Sequence, residues 1–199
     1  DGVIDYGNNT LSDHGDKTVI GNSLPRFSYS LNLSGDWNNF FVSAFFQGVG
    51  KQDWYPSSEC IFWGQYNRPY NNLPEWHLGN YWTEDNTDAY LPRYAGYNSS
   101  LKSTTQTRYL QNVAYIRLKN LQFGYTLPQE IVSKAKMQNA RIYISAENLW
   151  CWSPLYKHTR DLDVTNIYGS DPDLTNGRSG DGQSYPQMKS ISLGVSVTF

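Results

Sequence analysis

The strictest pattern in the chain is the alternation of its last ten residues. From Ser190 to Phe199, Ile191, Leu193, Val195, Val197 and Phe199 fall on one parity; Ser190, Ser192, Gly194, Ser196 and Thr198 fall on the other. A period of two is the signature of a β-strand with one apolar and one polar face. Ten residues exceed the usual strand length of about 5–6 and match the roughly 9–11 that cross a bilayer at a slant. The alternation recurs in 25–34, where Phe27, Tyr29, Leu31 and Leu33 oppose Ser28, Ser30, Asn32 and Ser34. Gly35 to Asn39 then reads as a turn into 40–48, an aromatic-rich run whose parity does not settle which face is which. Within 109–127 the phase changes, with Ile116 and Leu118 on one parity and Leu121, Phe123 and Tyr125 on the other. A bulge near Lys119-Asn120 would keep both sets on one face. The remaining strand, 141–147, sets Ile142, Ile144 and Ala146 against Arg141, Tyr143, Ser145 and Glu147. The pattern predicts an all-β fold of five antiparallel strands.

The connections alternate in length. Those at 35–39 and 128–140 are short, the second with room for a helical turn at 129–137, whereas 49–108 and 148–189 are long. Structureless loops of that length are uncommon in compact domains. Short turns alternating with long loops instead mark an outer-membrane β-barrel, short turns periplasmic and long loops extracellular. A soluble sandwich also alternates, with its apolar face inward. Two features favour lipid. The polar parity is poor in charge and rich in Ser, Asn and Thr, as in a wet lumen, and Trp37, Phe40, Tyr125 and Phe199 sit at strand ends, where interfacial girdles form. Five strands cannot close a barrel, for which about eight are needed, and an open sheet in lipid would leave unpaired edges. The expectation is therefore one part of a larger barrel.

Composition sharpens this picture. With 16 Lys+Arg against 18 Asp+Glu the chain lacks the basic footprint of a nucleic-acid binder. No uninterrupted apolar run exceeds four residues, so no membrane-spanning helix is expected. A mean hydropathy of -0.62 would suit a soluble protein. A barrel segment has the same value when its loops are long and only alternate strand residues face lipid. Charged residues make up 17%, below the usual ~25%, and aromatic residues 16%. Cys60 and Cys151 show no CxxC spacing and are expected as free thiols.

No catalytic constellation appears. His14, His77 and His158 share no ligand spacing with one another or with the cysteines, and no nucleophile elbow or phosphate loop is present. Glu147 is a lone acid on a polar strand parity, read as a solvated or arginine-paired charge. No enzyme is expected. Asp1-Gly2-Val3-Ile4-Asp5 resembles the second half of an EF-hand loop without its leading ligands, so Asp1 and Asp5 are candidate calcium ligands, the alternative being a plain turn. Asp171, Asp173 and Asp181 are a second such possibility. The functional signal is the aromatic density of the first long loop. Trp54, Tyr55, Trp63, Tyr66, Trp76, Trp82 and Arg93 combine flat apolar faces with hydrogen bonding, which suits the C–H faces and hydroxyl edges of sugars. The same aromatics could instead pack the loop.

At this point the residues resemble a known family. DGVID, GDKTVIGNSLPRFSYSLNLSGDW (15–37), FFVSAFFQGVGKQDWY (40–55), RYLQNVAYIRLKNLQFGYTLP (108–128), ARIYISAENLWCW (140–152) and YPQMKSISLGVSVTF (185–199) resemble the C-terminal part of SusC/RagA-like TonB-dependent outer-membrane transporters. The resemblance implies the last five strands of a barrel of about 22 strands, with a plug domain and TonB-coupling segment that this chain does not contain. It implies Phe199 as the assembly signal at the periplasmic end, so that 49–108 and 148–189 are extracellular. It further implies import of glycans, or alternatively peptides, with a SusD-like surface lipoprotein and the TonB complex as partners. The rival reading is a soluble calcium-dependent carbohydrate-binding β module.

Overall fold

The structure, a computed structural model, describes residues 4–56, 60–66, 68, 70–95, 104–167 and 185–199. The described residues form seven strands in chain order: β1 (Phe27–Trp37), β2 (Phe40–Lys51), β3 (Asp53–Trp54), β4 (Gln111–Asn112), β5 (Tyr115–Thr126), β6 (Asn139–Trp152) and β7 (Ser190–Thr198). Five form one antiparallel sheet in the order β1-β2-β5-β6-β7, and β3 pairs with β4 in a small second sheet.

Register explains why these sequences make one sheet. Leu31 lies opposite Phe46, Phe46 opposite Leu118 and Leu118 opposite Trp150. Further along, Val42 meets Phe123, Phe123 meets Ile144 and Ile144 meets Leu193. Directly paired residues share a face, so one side of all five strands is continuously apolar. The pairing settles 40–48: Phe40, Val42, Ala44 and Phe46 lie on the apolar face, Phe41, Ser43, Phe45 and Gln47 on the polar one. The expected bulge is present. Register shifts at Phe45/Phe46 and at Leu118/Asn120, which leaves Lys119 between pairs and keeps Leu118 and Leu121 on one face. Asn148 opposite it has φ 52, a left-handed position that Asn tolerates.

Several bounds differ from the sequence reading. β1 continues through Trp37, and the hairpin is only Asn38-Asn39, with φ 47 and 70, the two positive values a type I′ turn requires. β6 does not stop at 147, because Trp150 and Trp152 pair with Leu118 and Ile116 beyond the bulge. β5 begins at Tyr115 and not near 109, since Gln111–Asn112 is drawn off to pair with Asp53–Trp54. The short β5–β6 connection holds an α-turn, Gln129–Val132, and a 3-10 turn, Ser133–Ala135. Aromatic rings on one strand lie over glycines on the next: Tyr29 over Gly48, Phe41 over Gly124 and Tyr143 over Gly194. A Cβ at these glycines would lie 2.5, 2.6 and 2.3 Å from a ring carbon, so the close cross-strand approach requires Gly there.

The apolar face has no second layer. Ile191, Leu193 and Val195 are 72%, 75% and 64% exposed. A soluble β module would have to seal this face, so the soluble rival reading does not fit the fold. The protein core lies beyond the sheet, in the long loops, where Trp54, Phe62, Trp63, Tyr66, Tyr109 and Val113 pack with Leu155, Leu162 and Val164. Among the described residues no helix is long and apolar enough to cross a membrane, which says nothing of crossing by strands.

Candidate functional site

The first long loop is pinched at its neck by the β3–β4 pair, Asp53 opposite Asn112 and Trp54 opposite Gln111. Beyond the neck, Ile61–Tyr66 forms a 3-10 segment kinked at Gly64 (φ 48), which turns Phe62, Trp63 and Tyr66 into the interior. Their rings meet neighbours at close-packed distances: Phe62–Trp63 at 5.2 Å, Trp63–Tyr109 at 5.4 Å and Tyr66–Tyr94, stacked, at 4.1 Å. The second long loop closes the same core with Leu155, Leu162, Val164 and Ile167. His158 of that loop stacks on Tyr90 at 4.5 Å and meets Trp76 at 5.8 Å, so the two loops form one folded layer.

Polar groups inside the layer are satisfied locally. Arg108 donates to the carbonyl oxygens of Ala89 and Tyr90 at 2.7 and 2.9 Å, and Gln111 donates to Tyr90 Oη and Tyr109 O at 2.9 and 2.8 Å. His77, fully buried, donates from Nε2 to Phe62 O at 2.9 Å and accepts the Tyr94 hydroxyl at Nδ1 at 2.5 Å. Burial lowers its pKa to about 4, against a smaller opposite effect of the Phe62 hydrogen bond, so it is a neutral structural imidazole. Burial likewise pushes the Tyr66 and Tyr94 phenols upward, and the Tyr66 hydroxyl donates to Pro92 O. Tyr55, also raised by burial, to about 12, donates to Thr104 O at 2.9 Å.

The seven residues proposed for ligand contact therefore separate. Trp54, Trp63 and Tyr66 are interior, at 5%, 0% and 0% exposure, and their ring faces are covered by other rings. A ring closed in this way has no face for a sugar, which removes these three from direct contact. Tyr55 and Trp76 are half-buried against the same core. Trp82 is half-buried beside Leu91, through a backbone bond to Leu91 O at 2.9 Å, and Arg93 is exposed two residues on. Tyr70, 77% exposed, is a more open ring than any of the seven.

Of the candidate calcium ligands, the described residues include Asp5 alone. Asp1 lies outside the described residues, as do Asp171, Asp173 and Asp181. Asp5 Oδ1 accepts the Gly7 N–H at 2.8 Å, and Asp16 Oδ2 accepts the Asp5 N–H at 2.7 Å, so these carboxylates hold a turn. Among the described residues no group of three or more His, Cys, Asp or Glu side chains is placed to hold a metal ion. Cys60, buried, and Cys151, half-buried, form no disulfide with each other, and Glu147 is exposed, accepting Ser190 Oγ at 3.3 Å.

A second polar centre was not visible in the sequence. Arg117, on the polar face of β5, pairs with Asp163 of the second long loop at 2.5 Å, the two side chains 5% and 7% exposed. Asp163 also accepts from Thr165 N, Thr165 Oγ1 and Gln187 N at 3.0, 2.7 and 2.9 Å. Burial alone would raise its pKa; these hydrogen bonds and the Arg117 charge together hold it below the ordinary carboxylate value. Gln187 Oε1 in turn accepts from Arg117 and from Lys119, both at 3.1 Å. Both arms of the second loop are thus tied to the strand wall.

No known family profile matches the chain. It is 29% identical over 97% of its length to TonB-dependent receptor P3 of Formosa agariphila, and 28% identical over 92% to TonB-dependent receptor P26 of the same organism. In each case it spans 18% of the relative. Among solved structures it superposes on the RagAB peptide transporter with a TM-score of 0.61, at 20% identity, covering 91% of this chain and 18% of that one. The RagAB peptide importer in the closed-closed state gives the same values. These relatives carry receptor and transporter names and not enzyme names, in keeping with the expected lack of catalysis. In sequence the chain resembles the C-terminal part of SusC/RagA-like TonB-dependent receptors, and its fold is that of their barrel wall.

Proposed function

We propose that this chain is the C-terminal part of an outer-membrane, TonB-dependent nutrient importer that takes up oligosaccharides. The observation that carries the reading is the unbroken apolar face of all five strands, open on its outer side and backed by a polar face. Lipid is the environment that suits such a face, provided further strands pair with the free edges of β1 and β7. The apolar face then meets lipid, the polar face lines the lumen, the short turns are periplasmic and the folded loop layer is extracellular. Phe199, just past β7 and 81% exposed, ends the lipid-facing parity where an assembly signal would be read.

The chemistry is binding and gating, with no bond made or broken. The outer shell of the loop layer, with Arg93 and Tyr70 exposed and Trp82 half-buried, meets the ligand; a SusD-like lipoprotein covers the loops; TonB opens a plug carried by another part of the receptor. Flat rings beside hydrogen-bonding side chains favour sugars over peptides as ligand. Uptake of labelled oligosaccharides and peptides by cells carrying the receptor tests the reading, with Trp82→Ala and Arg93→Ala expected to lower oligosaccharide uptake. Recovery of the receptor in the aqueous fraction without detergent, or uptake of peptides alone, would overturn it.

A further inference from the structure

Among the described residues, two buried side-chain polar atoms have no hydrogen-bond partner, Arg117 Nε and Asn148 Oδ1. Both residues line the same cavity of about 220 Å³, between the strand wall and the second long loop. Arg117 is only 4% exposed. Its Nη1 and Nη2 each donate once, to Gln187 and Asp163, and Nε is the guanidinium nitrogen left without a partner. Asn148 donates from Nδ2 to Met188 O at 3.0 Å, which fixes the amide orientation and leaves Oδ1 as an acceptor. A buried donor and a buried acceptor left open beside one cavity define a site that a single polar group can complete.

The cavity's charge narrows the occupant. Arg117, Arg160 and Lys189 line it against one carboxylate, Asp163, whose oxygens are already occupied by Arg117, Thr165 and Gln187. The excess is cationic, which favours an anion. A bare anion offers only acceptors and would leave Asn148 Oδ1 unmet. The occupant must carry a negative group and, close by, a hydrogen-bond donor. Tyr156, Asn148 and Gln187 continue the polar lining around the cavity, which suits a ring polar along its whole edge.

We infer that this cavity is a subsite for an acidic sugar residue of the uronate type, its carboxylate on Arg117 Nε–H with Arg160 and Lys189, and a ring hydroxyl donating to Asn148 Oδ1. The subsite lies on the lumen side of the wall, under the loop layer, and rests on the import reading above. It adds that the imported oligosaccharide is acidic.

The test is calorimetric titration of the detergent-purified complete receptor with methyl glucuronide, methyl glucoside and N-acetylalanine. The glucuronide is expected to bind roughly tenfold more tightly than either of the others, the scale of one charge-assisted contact. Lys189→Gln, which leaves the Arg117–Asp163 pair intact, is expected to abolish most of the glucuronide-over-glucoside preference, whereas Asn148→Gly, which keeps the left-handed backbone, should weaken both sugars about equally. Equal binding of glucoside and glucuronide, equal binding of N-acetylalanine, a preference unchanged in Lys189→Gln, or sugar binding unchanged in Asn148→Gly would overturn the subsite. A receptor that imports neutral oligosaccharides but shows no glucuronide preference overturns the subsite alone. One that prefers glucuronide but imports no sugar overturns the import reading.

Discussion

Replacing Asp163 with Asn tests whether the second long loop is clamped to the wall by charge. The substitution keeps the side chain's shape but only one acceptor oxygen, where Thr165 uses Oδ1 and Gln187 uses Oδ2, and it leaves Arg117 charged, buried and uncompensated. Breaking a buried pair from one side costs about 3–5 kcal/mol, and 1.36 kcal/mol is a factor of ten, so local opening should rise by roughly two to four orders of magnitude. Lys157 and Arg160 stand exposed on this loop and give trypsin its sites. Where opening is fast relative to cleavage, the cleavage rate follows the open population. Asp163→Asn should therefore be cut at least about a hundredfold faster than the parent, with the barrel still resistant to SDS at room temperature. Adding Arg117→Met to Asp163→Asn removes the stranded charge and should restore most of the protection. The sign with pH is fixed: the folded-state pKa of Asp163 is lowered, so its contribution is present above the unfolded carboxylate value of about 3.9 and is lost as pH falls through the folded one. A rise in cleavage of less than about threefold in the single variant, or no recovery in the double one, would refute an electrostatic clamp.

Three further outcomes follow from the same geometry. Trp63→Ala removes a fully buried ring and should cost about 3–5 kcal/mol, seen as hydrogen exchange throughout the first long loop, whereas Trp82→Ala should alter uptake with little change in exchange. His77 has a folded-state pKa of about 4 against 6.5, so its contribution is complete above 6.5 and is lost as pH falls toward 4; loop stability should drop by up to about 3 kcal/mol across that window, and His77→Gln should flatten the dependence. Leu193→Lys, on the lipid parity of β7, should cost about 2–4 kcal/mol and reduce assembled receptor, whereas Ser192→Lys on the lumen parity should assemble normally.

The sheet was legible because a period of two leaves only one question, which parity is apolar, and in β1, β6 and β7 the answer is written in Leu, Ile and Val against Ser. It was ambiguous in β2 for a physical reason: Phe41 and Phe45 stand on the polar face, where the Phe41 ring covers Gly124, so aromatic character does not mark the lipid side there. The loop layer was legible only as a concentration of aromatic residues. A core residue and a sugar platform use the same side chains, and no periodicity separates them outside regular elements. What assigns Trp63 to the interior is its contact with Tyr109, far along the chain, within a core completed by Leu155 and Leu162 of another loop. Arg117 and Asp163 were unreadable for the same reason, since their pairing depends on the second loop folding back over the wall.

The interior placement of Trp54, Trp63 and Tyr66 also bears on how such a receptor can change its ligand. A first loop of this length, with little regular structure, must offset the conformational entropy of ordering its backbone, about 1–2 kcal/mol per residue. The β3–β4 pair and the short 3-10 turns provide few backbone bonds toward that, so burial of large rings supplies most of the offset. Those rings are then unavailable for recognition, and substituting them changes whether the loop is folded before it changes what the loop binds. On the proposed import reading, specificity would vary on the shell, at positions such as Tyr70, Trp82 and Arg93, and in the cavity beneath the second loop, where Asn148 and Lys189 lie outside the aromatic core. Grafting the shell residues of one receptor onto the core of another should therefore transfer ligand preference with the loops still protected from protease. Exchange of the buried rings should lose that protection and transfer nothing.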